Sequence, residues 1–224
     1  MKFKHDFIVD LDTLIHEAEH GEPFAFVRFN DGERAILQNT PIPTADGWRV
    51  GDPVMRRMMG DALNYKSPAY YKGITCQCCD PEGAEYYHRV LAEDARRLTF
   101  ANLFVNGNAE RAFEWIEGLA TNWCVVSSYW GSDVRVPARW DAIRDLEHYV
   151  FGEVVRLIEQ NRPILIAAGP LGKLLLHRYW TRVNDYGRHT IIDIGSVLDP
   201  VFRGKSRNYH NPDHPNRKKI CRWT

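Results

Sequence analysis

The sequence has no long apolar run, and its 224 residues carry no excess charge of either sign. A membrane-spanning helix needs about 20 consecutive apolar residues, and no stretch approaches that length. Residues 1–10 mix charged with single apolar side chains, whereas a signal peptide has a continuous apolar segment. We therefore expect an intracellular, cytoplasmic protein with no membrane span.

Charge balance and cysteine usage exclude further classes. Lys and Arg together number 29, and so do Asp and Glu, which gives no reason to expect a nucleic-acid or membrane-surface protein. The five cysteines are an odd number, and three of them crowd together at Cys76, Cys78 and Cys79. This pattern argues against the disulfide framework of a secreted protein.

What the sequence does contain is an alternation of short apolar runs with amphipathic segments. The runs are rich in Val, Ile and Phe, which is typical of strands buried on both faces of a sheet. They cover residues 24–29, 101–105, 123–127, 164–168 and 190–194. Apolar residues at helical spacing predict helices in residues 11–18 and 140–158, and another helix is expected from Leu171 onward.

Repetition of strand, helix and strand predicts an α/β fold, Rossmann-like, with a mostly parallel sheet and helices on both faces. The length suits one domain, which we assign to residues 1–202. Residues 203–224 are polar and basic, and they form a tail that either wraps over the domain or is disordered.

Ligands of parallel sheets bind at the carboxyl ends of the strands, so the loops at those ends are the ones to inspect. After the first run come Asp31, Gly32 and Glu33. A tight bend at Gly32 would let both carboxylates point toward one place, where Mg²⁺ finds the oxygen ligands it prefers. Arg28 stands close enough to pair with a phosphate. The alternative is a helix N-terminus whose dipole the two acidic residues complement.

Three later loops carry further candidates. Tyr129 and Trp130 follow the run 123–127, where they either stack on a ligand ring or pack into the core. Gly169-Pro170 opens a helix whose N–H groups favour an anion, although Leu174 replaces the hydroxyl residue of a P-loop. Asp193 lies inside an apolar strand, where an unpaired charge is costly, so we expect it to have a partner or a function.

Taken together, these segments resemble the GT-D type of glycosyltransferases. Members of that family look like Arg-Phe-Gly-Asp-Gly-Glu near the N-terminus, and residues 28–33 here read Arg-Phe-Asn-Asp-Gly-Glu. An apolar strand ending in Gly-Pro and a later strand ending in Asp-x-Gly also match, at residues 164–170 and 192–195. The resemblance covers residues 24–199. Asn30 stands where Gly is common, and Ser196 where many members have His.

The resemblance implies a metal-dependent glycosyltransferase that moves a sugar from a nucleotide-diphosphate sugar, a UDP-sugar above all, to a hydroxyl of a glycan or other acceptor. It implies that Asp31 and Glu33 hold Mn²⁺ or Mg²⁺ and the diphosphate. Asp193 is the first choice for a catalytic carboxylate and Asp199 the second. The expected donor-binding residues are Arg28, Gly169, Pro170, Gly195, Ser196, Arg207 and Tyr209. Homo-oligomerisation is left open.

Other functions compete with this interpretation. A zinc-binding interaction module would use the cysteine cluster with His210, His214 and Cys221, although Cys-x-Cys-Cys lacks the usual spacing. The basic run at residues 217–219 favours a nucleic-acid-associated protein, but such a run is more often a solvated terminus. A methyltransferase would need a glycine-rich first loop, which residues 28–33 do not provide.

Overall fold

The fold is known from a computed structural model, which describes residues 7–20, 23–40, 51–75, 80–94, 96–98, 114–116, 118, 123–127, 132–136, 152, 156, 162–182 and 189–195. One sheet runs through this part of the chain. Its strands are β1 (Ala25–Phe29), β2 (Tyr70–Ile74), β3 (Arg97–Leu98), β4 (Cys124–Ser127), β5 (Val134–Arg135), β6 (Ile164–Ala167) and β7 (Ile191–Asp193).

The strands lie in the order β3-β2-β1-β7-β6-β4-β5, and the pairings between these described strands are all parallel. β1 therefore lies between β2 and β7, and its register places Phe26 opposite Ile192. Because the strands are parallel, the residues that follow β1, β6 and β7 emerge at the same edge of the sheet. The predicted parallel sheet is confirmed.

Five helices that the structure describes from end to end accompany the sheet. They are α1 (Phe7–His20), α2 (Asp31–Gln38), α3 (Pro53–Asn64), α4 (Pro81–Val90) and α5 (Gly169–Arg182). α3 and α4 share one start signal, an aspartate N-cap followed by proline. The Asp52 side chain accepts the N–H of Val54 at 2.8 Å, and that of Asp80 accepts the N–H of Gly83 at 3.0 Å.

Alternate residues of β1 belong to two separate apolar clusters. Val27 and Phe29 pack with residues of α2, α3, α4 and α5, whereas Phe26 packs on the other face with Leu14 of α1. Side chains of successive strand residues point to opposite faces, so a strand that is apolar throughout needs cover on both. The predicted helices on both faces are confirmed.

Most of the predicted elements that fall within the described residues are present. α1 covers the predicted helix 11–18, and α5 begins at Gly169, two residues before the expected start. The predicted strand 101–105, the tail 203–224 and nearly all of the predicted helix 140–158 lie outside the described residues. The domain boundary at residue 202 stays a prediction. Across the described part of the chain, each helix is too short or too polar to cross a bilayer.

β2 was not predicted, because its sequence interrupts the apolar pattern. Lys72 and Gly73 stand in the middle of the strand, yet the Lys72 side chain is completely buried. Its ammonium forms an ion pair with the carboxylate of Asp94. A buried charge is tolerated where a partner meets it, and this partner comes from beyond the strand.

Candidate active site

The turn after β1 leads directly into α2. Asn30 is the N-cap residue with extended backbone, and Glu33 reaches back so that its Oε2 accepts the N–H of Asn30 at 2.9 Å. The phenol of Tyr87 on α4 donates to the carbonyl of Asn30 at 2.7 Å. Burial, and after it the Glu33 carboxylate, raises the pKa of Tyr87 well above its ordinary 10.0, so the phenol keeps its proton. The turn is thus held from two sides.

Asp31 and Glu33 do not converge, which corrects the expectation of a tight bend at Gly32. Gly32 is an ordinary helical residue, and residues two positions apart on a helix do not face each other. The Glu33 side chain is buried, with the residue only 3% exposed. Asp31 is exposed, and its Oδ1 accepts the N–H of Gly32 at 2.9 Å. The helix N-terminus weighed as the alternative is present.

Glu33 points instead into a buried group of charges. The ammonium of Lys173, in the second turn of α5, lies 3.2 Å from Glu33 Oε1 and 3.0 Å from Asp193 Oδ2. Burial lowers the pKa of Lys173, but the carboxylates of Asp193 and Glu33 outweigh it, so the pKa is raised above 10.5. Lys173 is therefore a cation at neutral pH. We call Arg28, Glu33, Lys173 and Asp193 the carboxyl-edge network, after the sheet edge at which the carboxyl ends of the parallel strands lie.

Asp193, the last residue of β7, has the partner that its apolar surroundings predicted. Its Oδ2 accepts the backbone N–H of Arg28 at 3.2 Å in addition to the Lys173 ion pair. Its Oδ1 accepts the N–H of Gly195 at 3.0 Å. A carboxylate has about four acceptor positions, so three are occupied. Asp193 is also completely buried, and its catalytic role stays a prediction.

The Arg28 guanidinium is buried beneath the turn that follows β7. Its Nη1 donates to the carbonyl of Ile194 at 2.9 Å. Gly195 has a φ of 57°, and a Cβ placed there would lie 2.0 Å from the same nitrogen. Glycine thus serves two purposes, because it adopts the left-handed backbone and leaves room for the guanidinium. The donor-binding roles of Arg28 and Gly195 stay predictions.

Replacing Gly195 with alanine is expected to destabilise the protein by about 3 kcal/mol. The added Cβ strains a left-handed residue and forces Arg28 away from the Ile194 carbonyl. The measurement is the urea midpoint at unchanged m value. Gly60→Ala is the control, because Gly60 lies within α3, where an added Cβ would meet only the side chain of Leu37 on α2, at 4.0 Å. Equal midpoints for the two variants would contradict the close packing of Arg28 on Gly195.

The loop after β6 places the start of α5 at the same edge. Gly169 has a φ of 56° and begins the helix, with Pro170 in its first turn. The helix therefore directs its first N–H groups toward the edge where the carboxyl-edge network lies. Donor binding at Gly169 and Pro170 stays a prediction.

Several predicted site residues lie outside the described part of the chain. Among the expected donor-binding and catalytic residues these are Ser196, Asp199, Arg207 and Tyr209. Tyr129 and Trp130 lie outside it as well. The same holds for the residues of the competing zinc site, which are Cys76, Cys78, Cys79, His210, His214 and Cys221.

The residues present do not suit a metal site built from two carboxylates. Both oxygens of Glu33 have donors, and one of these is the Lys173 ammonium, which would repel a cation. The described residues contain no group of three or more His, Cys, Asp or Glu side chains able to hold a metal. Of the two, Asp31 is the exposed one and could bind a hard cation, which takes one or two carboxylates together with substrate phosphates.

Lys173 and Tyr87 are the residues that sequence reasoning missed. Lys173 is flanked by Leu171, Gly172 and Leu174 in an otherwise apolar helix start, and a lysine in such surroundings signals a buried carboxylate partner. Tyr87 carried no comparable signal, because a tyrosine on an amphipathic helix is a common core residue.

No protein-family model matches the chain, and no curated protein matches it significantly. Solved structures do share its fold. A domain of unknown function 1792, described as having a distinct glycosyltransferase fold, is 19% identical with a TM-score of 0.52. That match covers 85% of this chain and 76% of the other, and a selenomethionine form of domain 1792 gives the same values.

A protein described as a new glycosyltransferase of the same domain type, from Streptococcus sanguinis, gives a TM-score of 0.58 at 14% identity. The match covers 86% of this chain and 80% of that one. Identities this low establish the fold alone. The chain therefore has the α/β fold of these glycosyltransferase structures, which is the fold that the sequence resemblance predicted.

Proposed function

We propose that this protein transfers a sugar from a nucleotide-diphosphate sugar, a UDP-sugar in the first instance, to a hydroxyl of an acceptor. One observation carries the proposal beyond the fold. Asp31 stands exposed at the carboxyl end of β1, on a turn that Glu33 and Tyr87 hold in place. A charged group on a rigid turn at this edge is what recognition of a ligand requires.

In the proposed reaction, the bond between the anomeric carbon and the diphosphate oxygen breaks, and a bond from that carbon to the acceptor oxygen forms. The electron pair leaves with the diphosphate, and the acceptor proton passes to a base. Mn²⁺ or Mg²⁺, held by Asp31 and the diphosphate, would supply positive charge for the leaving group. The N–H groups at the start of α5 favour the same anion.

The buried charged residues support this site from the protein interior. Lys173 forms ion pairs with Asp193 and Glu33, and the Arg28 guanidinium donates to the Ile194 carbonyl beneath the turn after β7. Because Asp193 is completely buried and its carboxylate accepts from three donors, we propose that it supports the site rather than reacting with the sugar. The oxocarbenium-like sugar then needs a carboxylate or base from elsewhere, and Asp199 stays our proposal for it.

A donor screen tests the proposal. The protein is incubated with UDP-, GDP- and TDP-sugars and Mn²⁺, and release of free nucleotide is measured with and without a panel of glycan acceptors. We expect release from one nucleotide class, its loss with EDTA, and its recovery when Mn²⁺ or Mg²⁺ is restored. Absence of release from every donor would contradict the proposed function, and release that EDTA leaves unchanged would contradict only the metal.

A further inference from the structure

Lys173 is one of two buried lysines with an ion-pair partner among the described residues, and the other is Lys72. Lys173 alone joins two carboxylates from different elements, Glu33 of α2 and Asp193 of β7. The two distances, 3.2 and 3.0 Å, make the ammonium a bridge rather than a simple pair.

Each carboxylate uses its second oxygen to hold a backbone N–H of a neighbouring turn. Glu33 holds the N–H of Asn30, which precedes Asp31, and Asp193 holds the N–H of Gly195. Lys173 therefore connects two turns. It reaches the turn after β1 through the Glu33 side chain and the turn after β7 through the Asp193 side chain. Because it belongs to α5, the same contact ties both turns to the helix start after β6.

Stability alone does not account for such an arrangement. Taking charges out of water is expensive, and well-packed apolar side chains often replace a buried ion group at no loss of stability. Apolar side chains, however, cannot hold backbone N–H groups at a set distance from each other. Fixed geometry is therefore the property that the charged bridge adds.

We propose that Lys173 is a positioning residue of the glycosyl-transfer site, which keeps the Asn30–Asp31 turn and the Gly195 turn at the separation a nucleotide-diphosphate donor needs. The inference rests on the proposed function. Among the four side chains of the carboxyl-edge network the two positive and two negative charges cancel. Asp31 is then left to face the ligand with its own charge.

The test compares Lys173→Met with Lys72→Met, a matched variant that breaks the buried pair with Asp94 away from these turns. Lys173→Met leaves Glu33 and Asp193 without their ammonium partner, and Lys72→Met leaves Asp94 without its partner, so both variants are expected to unfold at lower urea concentration. Amide hydrogen exchange is then measured at Asn30 and Gly195. We expect it to rise about tenfold in Lys173→Met, and to stay near wild type in Lys72→Met.

Donor kinetics supply the second measurement, at a temperature where both variants are folded. We expect kcat/KM for the donor to fall about 10²-fold in Lys173→Met, because small displacements of a site can have effects of that size. Lys72→Met should keep the wild-type value, and Lys173→Arg, which retains the charge, should recover most of the loss. Should the methionine variants not fold, Lys173→Gln and Lys72→Gln give the same comparison.

The outcomes separate the two proposals. Unchanged exchange at Asn30 and Gly195 in Lys173→Met overturns the positioning role, whatever the protein catalyses. Raised exchange with unchanged kcat/KM shows a structural bridge only, and it also overturns the proposal. If the wild-type protein releases no nucleotide, the proposed function fails, while the exchange comparison still decides whether Lys173 positions the turns.

Discussion

Asp31→Asn is expected to lower donor turnover by at least about 10²-fold, the scale seen when one electrostatic contact to a transition state is removed. Asparagine keeps an oxygen that can accept the N–H of Gly32, so the helix start should persist. What it loses is the negative charge, and with it the affinity for a hard cation. Turnover is measured as nucleotide release, and unfolding by urea.

Glu82→Gln is the matched control for Asp31→Asn. Glu82 is also an acidic first-turn residue, on α4, and its side chain is 89% exposed. Both substitutions remove a charge that complements a helix dipole, so both should change stability by no more than about 1 kcal/mol. Turnover should fall only in the Asp31 variant. Equal turnover in the two variants would remove Asp31 from the proposed site.

Much of the fold was readable because its signals are local. β1, β6 and β7 are short apolar runs, and burial on both faces of a parallel sheet is what such runs predict. β2 was not readable, because Lys72 in its centre looks like a surface residue. Its partner, Asp94, stands 22 residues further along the chain, and no local pattern announces that contact.

The candidate site was predicted in part for the same reason. The sequence placed Asp31 and Asp193 at the carboxyl ends of strands, and it indicated that Asp193 needs a partner. The identity of that partner depends on how α5 packs against β7, which is a tertiary contact. The expectation for Glu33 fails because a bend at Gly32 would bring the two carboxylates together, whereas the helix begins at Asp31 and directs them apart.

In the proposed site, the segment Asp31-Gly32-Glu33 would serve both structure and ligand recognition. Glu33 and Asp31 are two positions apart, so a helix that buries the first exposes the second. The buried carboxylate anchors the turn through Asn30 and Lys173, and the exposed one faces solvent from that anchored turn. Rigid support behind an exposed group is what places a ligand within the narrow limits that catalysis requires.

Asp193→Asn is expected to destabilise the protein by about 3–5 kcal/mol, because it leaves Lys173 buried beside one carboxylate instead of two. Lys173→Met should have a similar effect. In the double variant the two losses should not add. The ion pair can be lost only once, so the sum of the single effects should exceed the double effect by about 1–3 kcal/mol. The double-mutant cycle is measured by urea unfolding of the wild type, the two single variants and the double variant.

A second cycle supplies the control by pairing Lys173→Met with Asp94→Asn, which lies in the separate buried pair with Lys72. Sites without shared partners add to within about 0.5 kcal/mol, so these two losses should sum. Coupling in the first cycle and additivity in the second would establish that Lys173 and Asp193 act as one unit. Additivity in both cycles would mean that the ammonium contributes nothing specific to Asp193, and the support assigned to the network would then fall to Glu33 alone.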